Sequence, residues 1–166
     1  QVVEDRVYVF TPDGDVVDLP SGSTPLDFAY YVHTNVGHRC IGAKVFNRIV
    51  PFTYQLKTGD QIEIITGKEP NPKRDWLNPN LDYVHSSRAR AKIQTWFKQQ
   101  DKDKNIIEGK QMVEHELNRL DIPWSETSHA VERFNMNSID DLLAAIGAGD
   151  VRLYQVINFI ESKATN

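Results

Sequence analysis

The sequence predicts an α+β protein in two parts, a small mixed β-sheet packed on one helix and then an all-α region. Two observations lead to this prediction. Short β-branched and aromatic runs, separated by proline and glycine turns, fill most of residues 1–67, with one helical stretch among them. After the polar, proline-rich segment GKEPNPKR at 67–74, the apolar residues recur at helical spacing to the end of the chain.

Residues 1–67 contain the signals for one hairpin, one helix and three further strands. The runs at 6–11 and 16–19 are strand-like and are joined by the turn residues PDGD. A helix is predicted to begin at Ser23 or Thr24, and Gly37 is expected just beyond its end. Further strands are predicted at 41–46, 48–52 and 61–66. The order ββαβββ is typical of a β-grasp, ubiquitin-like domain.

The remainder is predicted to be a linker with a short turn at 68–85 and an α-helical domain at 86–166. A first helix is expected to begin at Ser86 or Ser87 and to end near residue 100, where DKDKN separates it from a second. The later helices are predicted from apolar periodicity at 105–120, 126–134, 138–146 and 151–160.

The charge is uneven along the chain, although the net value is only −4. Residues 68–104 carry about +4, while the segments before and after them carry about −3 and −5. This pattern argues against nucleic-acid binding over the whole surface and leaves a local anionic partner for the middle segment. No apolar run is long enough to span a membrane. A single cysteine favours a reducing cytoplasm, and the start at Gln1 indicates a piece of a longer protein.

The stretch HTNVGHRC at 33–40 gathers two histidines, an arginine and the only cysteine. A zinc site needs more ligands than His33, His38 and Cys40 supply, and a Cys–His catalytic pair needs a cleft and an orienting group. Cys40 is therefore expected to be a buried small hydrophobe, and His33 to close the helix. The sequence has no phosphate-binding glycine motif or nucleophile elbow, so no catalytic residue, metal or cofactor is predicted.

His38 and Arg39 follow Gly37 on a predicted loop, where side chains tend to be exposed. With Lys44 and Arg48 on the next strands, they offer one aromatic ring and a small group of cations. Such a group suits the end of a single-stranded nucleic acid, because imidazole stacks on bases and guanidinium pairs with phosphate. The alternative is that these residues are ordinary solvated surface charges.

A second candidate surface is the predicted helix that begins SSRARAKI. Arg88 and Lys92 share a face at i, i+4, and Arg90 lies to its side. Contact with RNA is one interpretation. The other is that these cations form the wet face of an amphipathic helix, and the alternating signs of DKDK argue against a continuous phosphate clamp.

Several stretches closely resemble the long RelA/SpoT homologues of the stringent response. The match is carried by VYVFTPDGDVVDLPSGSTPLDFAYYVHTNVGHRCIGAKV and VPFTYQLKTGDQIEIITG, which resemble a TGS domain, and by DWLNPNL and SSRARAKI in the region that follows it. The form of the later stretches is more similar to the RelA branch than to the SpoT branch.

The resemblance implies a non-catalytic regulatory fragment of a GTP pyrophosphokinase that makes (p)ppGpp in the cytoplasm. In the RelA branch, TGS would bind the CCA end of deacylated tRNA in the ribosomal A site, with His38 at the tRNA-contacting position. The helical domain would lie along tRNA and ribosomal RNA. Catalytic domains of the same chain are further expected partners. The SpoT branch implies an alternative, a protein-interaction module that binds acyl carrier protein or those catalytic domains.

Overall fold

The computed structural model describes residues 5–165. The chain forms two compact units that divide between Trp96 and Phe97. The first unit thus includes residues 68–85, predicted as a linker, together with the beginning of the first long helix. Each unit has its own apolar core.

The described part of the first unit, residues 5–96, contains five strands: β1 (Arg6–Phe10), β2 (Val16–Pro20), β3 (Cys40–Val45), β4 (Arg48–Val50) and β5 (Ile62–Thr66). β1 pairs with β2, and β3 lies between β4 and β5, all antiparallel. A parallel bridge between Phe10 and Gln61 joins β1 to β5. The resulting strand order, β2-β1-β5-β3-β4, is the β-grasp arrangement that the sequence predicts.

Alternation along the strands explains which face of the sheet is buried. Val7 and Val9 of β1 and the paired Leu19 of β2 point into the core, whereas Tyr8 between them is exposed. The turn between β3 and β4 has positive φ at both Phe46 and Asn47, as a tight two-residue hairpin requires.

Two helices follow the hairpin, α1 (Pro25–Val32) and α2 (Thr34–His38). The prediction that Gly37 lies beyond the helix is wrong, because the chain resumes helical structure after the extended residue His33. His33 ends α1 and also caps α2, since its Nδ1 accepts the Asn35 N–H at 3.0 Å. His38 is therefore the last residue of a short helix and not part of a loop.

A buried carboxylate joins the start of α1 to the segment that enters the next helix. Asp27 forms a capping box with Thr24, and its two oxygens also accept the backbone N–H groups of His85 and Ser86 at 3.0–3.1 Å. The side chain is 4% exposed, so these bonds are shielded from water.

The remaining helices are α3 (Ser87–Leu120), α4 (Ser128–Arg133), α5 (Ile139–Ala148) and α6 (Leu153–Ala164). The predicted break at DKDKN is wrong, because α3 continues through it for 34 residues. Aspartate, lysine and asparagine are tolerated inside helices, and the segment lacks the proline that would have stopped one. No helix within residues 5–165 is both long enough and apolar enough to cross a bilayer.

Candidate functional site

His38 lies at one edge of the first unit, with its imidazole half-buried between two aromatic side chains. Its Nδ1 is 2.9 Å from the hydroxyl of Tyr30, and the two rings meet edge to face with centroids 5.3 Å apart. The Trp96 ring lies on another side, 6.1 Å away and tilted by 46°. The ring of His38 is thus held in one orientation and is still accessible from outside.

Gly37 makes this arrangement sterically possible. A Cβ at this position would overlap the ring of Tyr30, which is itself 2% exposed in the core. Glycine fits between Tyr30 and the backbone of α2 without any shift, whereas a larger residue would displace the Tyr30 ring at a cost in packing. The residue before His38 therefore fixes the distance between the two rings.

Backbone hydrogen bonds fasten residues 67–71 to the same edge. The N–H of Asn71 donates to the carbonyl of His38 at 2.9 Å. Arg39 and Gly67 make a reciprocal contact: the N–H of Gly67 donates to the carbonyl of Arg39, and Nε of Arg39 donates to the carbonyl of Gly67 at 2.9 Å. The Arg39 guanidinium is therefore anchored beside His38 through Nε.

The electrostatic surroundings keep the imidazole neutral. Burial lowers the pKa of His38 below its usual 6.5, and the nearby ammonium of Lys92 lowers it further. Lys92 Nζ lies 3.5 Å from the carbonyl oxygen of Tyr30. The edge thus combines a neutral imidazole, an indole and two cations, a set that suits bases and phosphates together.

Cys40 has no role as a nucleophile in this arrangement. The side chain is 4% exposed, and burial raises the pKa of its thiol to about 11. A thiol with that pKa stays protonated at neutral pH and is inert. Across the described residues 5–165, no group of three or more histidine, cysteine, aspartate or glutamate side chains is arranged to hold a metal ion.

The other predicted residues of the first unit lie at different places. His33 uses its Nδ1 to cap α2. Lys44 is four residues beyond Cys40 on β3, about 13 Å along the strand at 3.3 Å per residue. Arg48 lies opposite Val45, farther along the same direction. Arg39 follows His38 directly in the chain and is held by Gly67, whereas Lys44 and Arg48 lie toward the other end of β3.

The three predicted cations at the start of α3 also differ from one another. Lys92 lies at the His38 edge, whereas Arg88 is exposed and lines a cavity of about 350 Å³ bordered by Asp27, Tyr31 and His85. Arg90 is partly buried, and its Nη2 donates to the carbonyl of Val84 at 3.3 Å. Arg90 therefore helps to hold the entry into α3.

Lys92 and Trp96 belong to the same site as His38, a grouping that was not predicted from the sequence. Their spacing of four places both on one face of α3, and this signal was available. The partnership of Tyr30 with His38 had no local signal, because the extended residue His33 breaks the helical period between them.

Comparison with known proteins defines the class of each unit. Residues 7–66 match the TGS domain, the β-grasp module described above, and residues 96–161 match the RelA/SpoT AH domain. Together the two matches cover most of the chain. The chain belongs to the RelA/SpoT family.

Relatives match over almost the whole chain. It is 65% identical to a GTP pyrophosphokinase of Escherichia coli K12 and 61% identical to one of Haemophilus influenzae, in each case over 98% of the chain and 22% of the relative. It is 39% identical to a probable guanosine-3′,5′-bis(diphosphate) 3′-pyrophosphohydrolase of Synechocystis, over 98% of the chain and 21% of the relative. The chain spans about a fifth of the length of these relatives.

Proposed function

We propose that this chain is the tRNA-sensing regulatory region of a RelA-type GTP pyrophosphokinase. In this role it binds the CCA end of deacylated tRNA in the ribosomal A site and controls (p)ppGpp synthesis by catalytic domains of the same protein. The proposal rests on the RelA/SpoT family assignment and on one structural observation. That observation is the His38 edge, where an accessible imidazole lies near the Trp96 ring and the Lys92 ammonium.

The chemistry of this edge matches the end of an RNA strand. Aromatic side chains stack on unpaired bases, and the cations Arg39 and Lys92 attract phosphate. Neither cation is paired with a carboxylate within residues 5–165, so their charge is not neutralised there. A duplex would not fit as well, because its bases are stacked inside and their flat faces are inaccessible.

The edge also offers a way to tell deacylated tRNA from aminoacylated tRNA. A free 3′ end can enter a close-fitting site, whereas an attached amino acid would collide with the residues around His38. Regulation would then be a shift between two populations. Binding of tRNA on the ribosome would favour the form in which the regulatory region no longer restrains synthesis.

The test is the His38→Glu substitution in the full-length enzyme. We expect ribosome- and tRNA-dependent (p)ppGpp synthesis to fall at least about tenfold, since a carboxylate repels phosphate and cannot donate a hydrogen bond. Basal synthesis without ribosomes should be unchanged. His115→Glu, the same change at an exposed position of the AH domain, is the matched control. Full stimulation in His38→Glu would contradict the proposal.

The second candidate function is binding of acyl carrier protein, an acidic protein that the unneutralised Arg39 and Lys92 could also attract. A pull-down with this chain separates the two candidates. We expect retention of ribosomes carrying deacylated tRNA, reduced by Trp96→Ala, and no retention of acyl carrier protein. Retention of acyl carrier protein alone would favour the second candidate.

A further inference from the structure

The hydroxyl of Tyr30 has one hydrogen-bond partner within residues 5–165, the Nδ1 atom of His38. Tyr30 is among the largest buried side chains of the first unit, with 2% of its surface exposed. A buried hydroxyl that fails to donate costs about 1–3 kcal/mol. The direction of this single bond therefore has consequences for both residues.

Two directions are possible, and only one satisfies both groups. If Nδ1–H of His38 donated to the phenol oxygen, the Tyr30 O–H would have no acceptor. If Tyr30 donates, Nδ1 is the acceptor and the hydroxyl is satisfied. Burial raises the pKa of Tyr30 well above its usual range, so the phenol keeps the proton it must donate.

The charged and titratable groups that face His38 are consistent with this direction. Lys92 approaches from α3, with Arg88 beside it, and Arg39 is the next residue in the chain. Burial and the Lys92 ammonium both lower the pKa of His38 and so disfavour a second proton on its ring. A neutral ring with an acceptor at Nδ1 must carry its proton at Nε2.

The Nε2 atom is directed away from Tyr30 and remains accessible. Within residues 5–165 it has no hydrogen-bond partner, and it is not buried, because the one buried side-chain nitrogen or oxygen without a partner there is Nε of Arg90. Nε2–H is therefore a free donor at the surface of the site.

We propose that Tyr30 is a positioning residue that holds His38 as the Nε2–H tautomer, so that the site recognises its ligand by one donated hydrogen bond. The ligand group is then an acceptor on the terminal nucleotides, a ribose oxygen or a ring nitrogen of a base. This inference rests on the proposed binding of an RNA end. It adds that Nε2 is the atom of His38 that makes the contact and that Tyr30 keeps the proton on this atom.

The first test follows the proton directly, by nitrogen NMR of the chain labelled at histidine. We expect His38 to show an unprotonated, hydrogen-bonded Nδ1 and a protonated Nε2. Tyr30→Phe keeps the ring and removes the donor, and we expect a mixture of the two tautomers. Tyr31→Phe, at the exposed neighbouring tyrosine, is the matched control and should leave the signals unchanged. Protonated Nδ1 in the wild type, or unchanged signals in Tyr30→Phe, would overturn the inference.

The second test uses two amides that each imitate one nitrogen of the ring. Glutamine places its amide near the position of Nε2, and asparagine places its amide near that of Nδ1. In the full-length enzyme we expect His38→Gln to retain most ribosome- and tRNA-dependent synthesis and His38→Asn to lose about tenfold, the scale of one hydrogen bond. Equal losses in the two variants would overturn the donor role of Nε2.

The failures of the two proposals are distinguishable. Full stimulation in His38→Glu overturns the proposed function, whatever tautomer the NMR measurement finds. Loss of stimulation in His38→Glu together with protonated Nδ1 overturns the inference about Tyr30 and supports the proposed function.

Discussion

The His38 edge of the TGS domain and the contact between α3 and α5 in the AH domain both depend on glycine, for different reasons. At the edge, Gly37 makes room for the ring of Tyr30. Between the helices, Gly109 of α3 and Gly147 of α5 make room for backbone, because a Cβ on either would overlap the carbonyl oxygen of Leu143 or Asn105. The first glycine positions a side chain that holds the site, and the other two position helices.

The two regions also differ in the partners of their cations. In the AH domain, two cations are paired with carboxylates: Lys102 with Asp141 at 2.7 Å, and Arg119 with Glu116 at 2.8 Å. At the His38 edge, Arg39 and Lys92 contact backbone carbonyls instead. Paired charges serve the fold of their own domain, whereas cations without carboxylates keep a potential that an anionic partner can use.

The largest expected loss of stability comes from a substitution at the contact between α3 and α5. Gly109→Ala should lower the free energy of unfolding by about 3 kcal/mol, because the overlap with backbone outweighs the roughly 1 kcal/mol gain in helix propensity. Urea denaturation measures this change. Glu108→Ala, at the exposed neighbouring position, should stay within about 0.5 kcal/mol of the wild type. Equal values for the two variants would show that α3 and α5 are not closely packed.

The second-largest loss of stability is expected from removing the buried carboxylate of Asp27 at the start of α1. Asp27→Ala removes the acceptor for the N–H groups of Thr24, His85 and Ser86, and we expect a loss of about 2 kcal/mol. Glu69→Ala, at an exposed position of the same unit, is the control for loss of one negative charge. A loss in urea denaturation no larger than the control's would mean that water replaces these bonds.

Gly37→Ala is expected to change both the stability of the protein and the surroundings of His38. The overlap is with a side chain that can tilt, so we expect a smaller loss of about 1–2 kcal/mol. The histidine signals of His38 should shift in NMR spectra, because the Tyr30 ring must move. Gly109→Ala should leave those signals unchanged if its effect is confined to the AH domain. Unshifted His38 signals in Gly37→Ala would break the distinction between the two kinds of glycine.

The smallest expected effect is the contribution of His38 to the pH dependence of the free energy of unfolding. The folded state holds His38 below its usual pKa of 6.5, so below that pH the unfolded chain takes up a proton before the folded one does. The free energy of unfolding should therefore fall as the pH drops from about 7 toward 5, by less than about 1 kcal/mol because the ring is partly solvated. Denaturation across this range should show a weaker slope in His38→Gln. An identical slope would mean that His38 is not held neutral.

Local sequence signals determined the order of strands and helices in much of the chain. Alternating strands, turn glycines and the proline at 25 were enough to predict the β-grasp order, and apolar periodicity was enough to predict a helical second part. The missed boundaries have a physical reason. The segment DKDKN contains no residue that stops a helix, and α3 contacts α5 there through Lys102 and Asn105. The extended conformation of His33 precedes a second helix that contains Gly37, and local propensity does not indicate that change.

The sequence by itself also directed attention to His38, through the GHRC motif and its resemblance to the family. Only the tertiary structure decided which residues surround it. Tyr30, Lys92 and Trp96 come from different places in the chain and meet His38 because the fold packs α1, α2 and the beginning of α3 together. Lys44 and Arg48 are close to His38 in sequence, but they lie toward the other end of β3, away from its ring. Proximity in a folded chain is set by packing, and spacing along the sequence does not report it.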